Sequence, residues 1–340
     1  MALHNTSTSS TTTRPKPAIT SLAAFFGLVF FATWIVWVPR ALESQGLLDS
    51  HWARSLGRGW TYMPALAAVL FLALTRGRRG LAELGRKLLL WRIGWRWYVT
   101  IAAIPLGVAL GTAVIYALTG GQFSAGLPLA LDLPLPIIPL IIGIRLLTDG
   151  IGEETAWRGV ALPQLLRRMN AVTASLILGI VWATWHLPLI FTDGAPMANN
   201  SIVLLFVLLP AEAVVYTWLY QRTNGSILAA ALFHAMIGFW AMASPAAEAT
   251  GRPQLIRAIL WCALAGALLL RYGANLTVRH AARQTGPNAE ARGAVRHREP
   301  HRHEADARGW DDRLDQAEAQ TLDRPAGLSR SGDRQRDRGF

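Results

Sequence analysis

Long apolar runs alternate along this chain with short polar or basic segments. After a Ser/Thr-rich stretch, the first run extends from Ser21 to Val38. Further runs cover Trp60 to Leu74, Trp97 to Leu118, Ile137 to Ile151, Ala171 to Phe191, Ile202 to Tyr220, Ile227 to Ala243 and Leu255 to Leu270. A helix needs about 20 apolar residues to cross the hydrocarbon core, and in lipid its backbone must satisfy its own polar groups. The pattern therefore predicts an all-α fold: a polytopic membrane helix bundle of about eight transmembrane helices. A cleavable leader is the rival reading of the first run. Its apolar core would span about 7 to 15 residues and end at small residues, whereas this run is longer and ends at Val38-Pro39-Arg40.

The polar segments orient the bundle. Arg76 to Arg96 holds seven Lys and Arg residues, while Gly120 to Pro136 and Thr192 to Ser201 hold neither. Cytoplasmic loops concentrate basic residues, so both termini are expected on the cytoplasmic side of the cell (plasma) membrane. Only Arg252 and Arg257 run against that assignment. Residues 1–18 are expected as a disordered N-terminal tail and 19–275 as the transmembrane domain. The Arg/Asp/Glu-rich segment 276–340 reads as a disordered tail, too poor in large apolar residues to fold alone. Its His297, His301 and His303 are a weak metal motif, best read as part of a solvated charged segment.

Composition agrees with a lipid environment: 52% of residues are apolar and 16% charged, against about a quarter charged in a soluble domain. The net charge of +12 sits in clusters between apolar runs, with no nucleic-acid-binding motif, so the expected surroundings are the lipid bilayer and no nucleic acid. The single cysteine, Cys262, excludes an intrachain disulfide. Trp60, Trp95 and Trp97 lie near span ends, where indoles settle at the membrane interface. Asn224-Gly225-Ser226 has the glycosylation pattern but falls on the cytoplasmic side of this topology.

Function must come from ionisable residues at membrane depth, each costing about 2.5–3.5 kcal/mol on insertion scales. The fourth run leads into Arg145, Asp149, Glu153, Glu154 and Arg158. On a helix, Arg145 and Asp149 pair four residues apart, as do Glu154 and Arg158, leaving Glu153 without a local cation. The bland alternative is a helix end entering water with ordinary solvated charges. His186 and His234, each inside an apolar run, argue against it. Glutamate with histidine can hold and deprotonate a water, and a second histidine can donate to the oxyanion formed when water attacks an amide. Glu212, on the sixth span, is expected to pair structurally with Arg145 or Arg158.

Glu153-Glu154-x-x-x-Arg158-Gly159, then Trp182 four residues before His186, then Asn224-Gly225-Ser226-Ile227 ahead of His234, resembles the CPBP family of intramembrane proteases. That family includes type II CAAX prenyl endopeptidases and bacteriocin-immunity (Abi) proteins. The likeness covers about 137–243, under a third of the chain. It implies a protease with its active site in an intramembrane cavity and a membrane-associated protein or peptide substrate. Glu153 and His186 would activate water, Glu154 and Arg158 would be supporting charges, and His234 would belong to the oxyanion hole. Zinc, if the site takes one, would use Glu153, His186 and His234.

One position departs from the pattern. The family usually has Asn, sometimes Asp, four residues after the third histidine, and this chain has Gly238. Glycine offers no side-chain donor, so Gly238→Asn is expected to add one. The competing function is a non-catalytic membrane protein, either a pseudoprotease or a small transporter using its charges as a relay; the absence of an internal repeat in the sequence favours the protease.

The arginine asymmetry makes topology testable. In a Cys262→Ala background, a cysteine at Gly194 should react with impermeant reagent only from outside the cell and one at Arg79 only after permeabilisation. Labelling of position 194 from the cytoplasmic side alone would overturn the eight-span scheme.

Overall fold

The computed structural model describes residues 19–49, 52–53, 61–122, 134, 136–243 and 251–277, and every regular element among them is helical. The expected tails at 1–18 and from 278 onward lie outside the described residues. Leu276, the first residue assigned to the C-terminal tail, is fully buried. Packing of the membrane domain thus continues slightly past residue 275.

The helices are α1 (Ile19–Ser44), α2 (Met63–Leu88), α3 (Trp95–Leu118), α4 (Ile137–Arg145), α5 (Ile151–Ala156), α6 (Leu162–Leu166), α7 (Ala171–Trp185), α8 (Leu187–Ile190), α9 (Ile202–Arg222), α10 (Ile227–Ala243) and α11 (Arg252–Tyr272). Four of them, α1, α3, α9 and α11, are long and apolar enough to cross a bilayer, while α7 and α10 are shorter apolar helices. The chain is an all-α, multi-pass membrane bundle. Its ends are set by ordinary capping chemistry. Asn170 accepts from Thr173 N at 2.9 Å to start α7, Ser201 caps α9, and a proline opens α2 and α11, where its missing N–H costs nothing.

Helix α9 is the central post. It packs on α7 and α11, and 72% of its most apolar window is buried against 17% for α3, which faces lipid. Close approach requires small residues: a Cβ added at Gly179 on α7 would collide with Pro210 Cα on α9.

Two expected boundaries move. The fourth span does not end at Ile151. Helix continues through a π turn at Leu146–Gly150, α5, a second π turn at Trp157–Ala161 and α6, so Glu153 lies mid-run. The basic segment after the second span is also largely helical. Helix α2 bends at Gly77, whose φ of 58° suits glycine, and then carries the Glu83–Lys87 pair at 2.8 Å.

The Gly179 contact gives a stability prediction. Gly179→Ala should destabilise the bundle by about 1–3 kcal/mol through overpacking. Gly107→Ala, with no neighbouring atom within 4 Å of the added Cβ, should be neutral or stabilising by about 0.5–1 kcal/mol, because it removes a glycine from a helix interior. Thermal unfolding in detergent micelles compares them.

Candidate active site

Helix α5 is only six residues long and is bracketed by the two π turns. Such wide turns shift the phase of the residues that follow and often mark functional sites. Here they frame Glu153 and Glu154, adjacent in sequence and both buried. Gly150 and Gly152 let the run close onto its neighbours, since a Cβ at either would strike a backbone carbonyl, of Ala231 on α10 or of Thr61 before α2.

Each carboxylate is supplied with donors. Glu153 Oε2 accepts from Trp182 Nε1 at 2.7 Å and Trp157 Nε1 at 3.3 Å. Glu153 has no cation one turn away on its own helix, and two indoles satisfy it instead, Trp157 one helical turn ahead and Trp182 from α7. Glu154 takes the Arg158 guanidinium at 2.7 Å, both side chains fully enclosed. Arg158 Nε and Nη2 are buried without an acceptor. The guanidinium lies over the Tyr216 ring at 3.9 Å and near Trp182 at 5.2 Å, where aromatic faces attract the charge.

His234 joins the two acids. Its Nδ1 lies 2.9 Å from Glu154 Oε1 and its Nε2 lies 3.9 Å from Glu153 Oε1. Held by Glu154 at Nδ1, the ring presents Nε2 towards Glu153 Oε1. His186 approaches from the other side of Trp182, whose ring centroid is 5.8 Å from His186 and 5.7 Å from His234. His186 ends α7. Its Nδ1–H donates to Trp182 O at 2.9 Å, which leaves Nε2 with a lone pair. Trp37 and Trp185 cover it.

Glu153, Glu154, Arg158 and His234 are thus in one hydrogen-bonded and electrostatic cluster, with His186 adjoining through Trp182. Two features bring Glu153 and the fifth span together. The fourth span runs beyond Ile151, and α7 breaks at His186 just before Pro188. Sequence reading missed Trp157 and Tyr216, and treated Trp182 only as part of a motif. A tryptophan four residues after an unpaired glutamate was the available signal for Trp157.

Other expectations change. Arg145 pairs with Asp149 at 3.2 Å and Arg158 with Glu154 at 2.7 Å, and Arg158 acts on buried Glu212 only at longer range. The cation acting most strongly on Glu212 is Arg257 of α11, which places Arg257 in the bundle and removes it from the loop charges. Trp97 packs edge-on against Trp218 at 5.4 Å and so contributes to the bundle as well as to its rim. The cleft lined by Pro105, Thr112, Ile237, Trp240 and Arg257 does not include Glu153. Among the described residues no three His, Cys, Asp or Glu side chains gather as a metal site, and one oxygen of Glu153 is already shared by two indoles.

Residues 135–240 match the family described as type II CAAX prenyl endopeptidase Rce1-like. Over 142 residues the chain is 31% identical to a protein named CAAX prenyl protease 2 from Methanococcus maripaludis, covering 40% of this chain and 50% of that protein. The chain spans about half the length of this curated relative. The matched segment contains Glu153, Glu154, Arg158, His186 and His234, together with Trp182 and Gly238. Over residues 135–240 this chain is therefore similar to the CPBP intramembrane proteases, on their Rce1-like, type II CAAX prenyl endopeptidase side.

Proposed function

We propose that the protein is an intramembrane endopeptidase acting on a membrane-associated substrate of the CAAX type, a C-terminal peptide carrying a prenylated cysteine. The observation that carries this reading is the contact cluster of Glu153, Glu154, Arg158 and His234, lying within the segment that matches prenyl endopeptidases. We place both termini in the cytoplasm, the side on which the basic segments cluster.

A water between Glu153 and the two imidazoles gives up a proton to Glu153, aided by the Nε2 lone pair of His186, as its oxygen attacks the scissile carbonyl carbon. The carbonyl oxygen becomes an oxyanion. With protons on both ring nitrogens, His234 donates Nδ1–H to Glu154 and Nε2–H to that oxyanion. Collapse re-forms the carbonyl and breaks the C–N bond, and the proton held on Glu153 passes to the leaving amine. Trp182 and Trp157 hold the Glu153 carboxylate in orientation, and Arg158 fixes Glu154, which fixes His234. No step is assigned to a metal.

The full chain in proteoliposomes should cleave an internally quenched farnesylated peptide ending in a C-a-a-X sequence, and cleave the unprenylated peptide more slowly. Glu153→Ala should lower turnover by about a hundred- to ten-thousandfold, the scale of general acid–base catalysis. Trp182→Phe, which removes a hydrogen bond to a charged group worth about 1.5–3 kcal/mol, should cost about ten- to a hundredfold. Proteomics of membrane-associated peptides from cells with the wild type or Glu153→Ala would identify natural substrates. Equal cleavage by wild type and Glu153→Ala, in vitro and in cells, would sink the protease and favour a pseudoprotease.

A further inference from the structure

Position 238 has no side chain of its own, yet the space there is filled. A Cβ built on Gly238 would lie 2.7 Å from Arg145 Nη1 and 3.5 Å from its Cζ. The guanidinium of Arg145, from α4, is therefore laid directly over the α10 backbone at the turn after His234. Residues four apart on a helix share a face, so this face presents the His234 imidazole and then, about 6 Å along the axis, the Arg145 guanidinium.

The placement is specific. Arginine near lipid ordinarily snorkels to the interface; this one is folded inward, its side chain 23% exposed. Asp149 holds Nη1 at 3.2 Å. Nη2 meets Met242 Sδ at 3.8 Å, one turn beyond Gly238, and thioether sulfur is a weak acceptor. Among the described residues, Nη2 and Nε thus keep N–H groups that no carboxylate takes. A planar guanidinium fixed at one nitrogen by a salt bridge presents its other donors in a set direction. Glycine is what admits it, because even an alanine methyl group would force it to shift.

We infer that Arg145 supplies the second donor to the substrate's oxyanion, taking from a neighbouring helix the place that a side chain at 238 would otherwise fill. This rests on the proteolytic reading of the cluster. It also changes the expectation for Gly238→Asn: in the otherwise native protein the new side chain displaces one donor as it adds another, so no gain in turnover follows. The gain should appear only when Arg145 is already lost.

The test uses the full chain in lipid nanodiscs with two probes. One is the quenched farnesylated peptide. The other is its phosphinate isostere, an anionic tetrahedral mimic, compared with an uncharged reduced-amide analogue. Arg145→Gln should lower kcat by about ten- to a hundredfold, up to the scale of a lost oxyanion donor, with KM nearly unchanged, and should abolish the preference for phosphinate. Gly238→Asn in the Arg145→Gln background should recover about tenfold in both readouts. Arg145→Gln that keeps wild-type turnover and phosphinate preference overturns the inference, as does a loss confined to unfolding temperature. Should Arg145→Gln fail to fold, Gly238→Ala decides, because its methyl group displaces the guanidinium and should weaken phosphinate preference; an unchanged preference overturns the inference. The two readings fail separately. A wild type that cleaves nothing but prefers phosphinate only while Arg145 is present loses the protease and keeps the donor, whereas active cleavage indifferent to Arg145 does the reverse.

Discussion

A carboxylate shut away from water must receive its hydrogen bonds from the protein, because a buried charge without partners costs several kcal/mol. Two adjacent glutamates double that demand at one point on one helix. The bundle meets it from three directions. Trp157 and Arg158 come from the following turn, Trp182 from α7 and His234 from α10. The two π turns that frame α5 give the run the irregular phase needed to send consecutive residues inward. Small residues at 150, 152 and 179 bring the neighbouring helices close enough to deliver the donors. Aromatic rings serve as both wall and ligand: Trp182 touches Glu153, both histidines and Tyr216, so its position is fixed by every group it helps to orient.

Much of this was readable in the sequence. The apolar runs located the helices, and spacing by four predicted the Arg145–Asp149 and Glu154–Arg158 pairs, both present. What escaped has a common cause. Hydropathy takes a cluster of charges as the end of a span, so Glu153 appeared to be leaving the membrane when its donors were arriving from other spans. A π turn adds one residue of phase without changing composition and leaves no mark on an apolar run. Arg257 looked like an outer-loop charge because Glu212, which acts on it, is 45 residues earlier in the sequence. The glycine at 238 looked like a missing group for the same reason: what occupies the space belongs to residue 145.

Counting charge over this region connects its architecture with its chemistry. Asp149, Glu153, Glu154 and Glu212 are four carboxylates; Arg145, Arg158 and Arg257 are three guanidinium groups. Arginine does not give up its proton in proteins, so the guanidinium charges are fixed, and with every carboxylate ionised one negative charge would remain in a medium that penalises it. A proton on His234, whose two nitrogens face Glu154 and Glu153, balances the set. That proton is mobile where the guanidinium charges are not, and it lies on the ring nearest the acid proposed to take a proton from water. Removing any one guanidinium would leave the set short of positive charge and tie the proton to a carboxylate as a counter-charge. Arg145 and Arg158 thus offset carboxylate charge on the Glu153–His234 side of this region, and Arg257 lies within reach of Glu212 on the other.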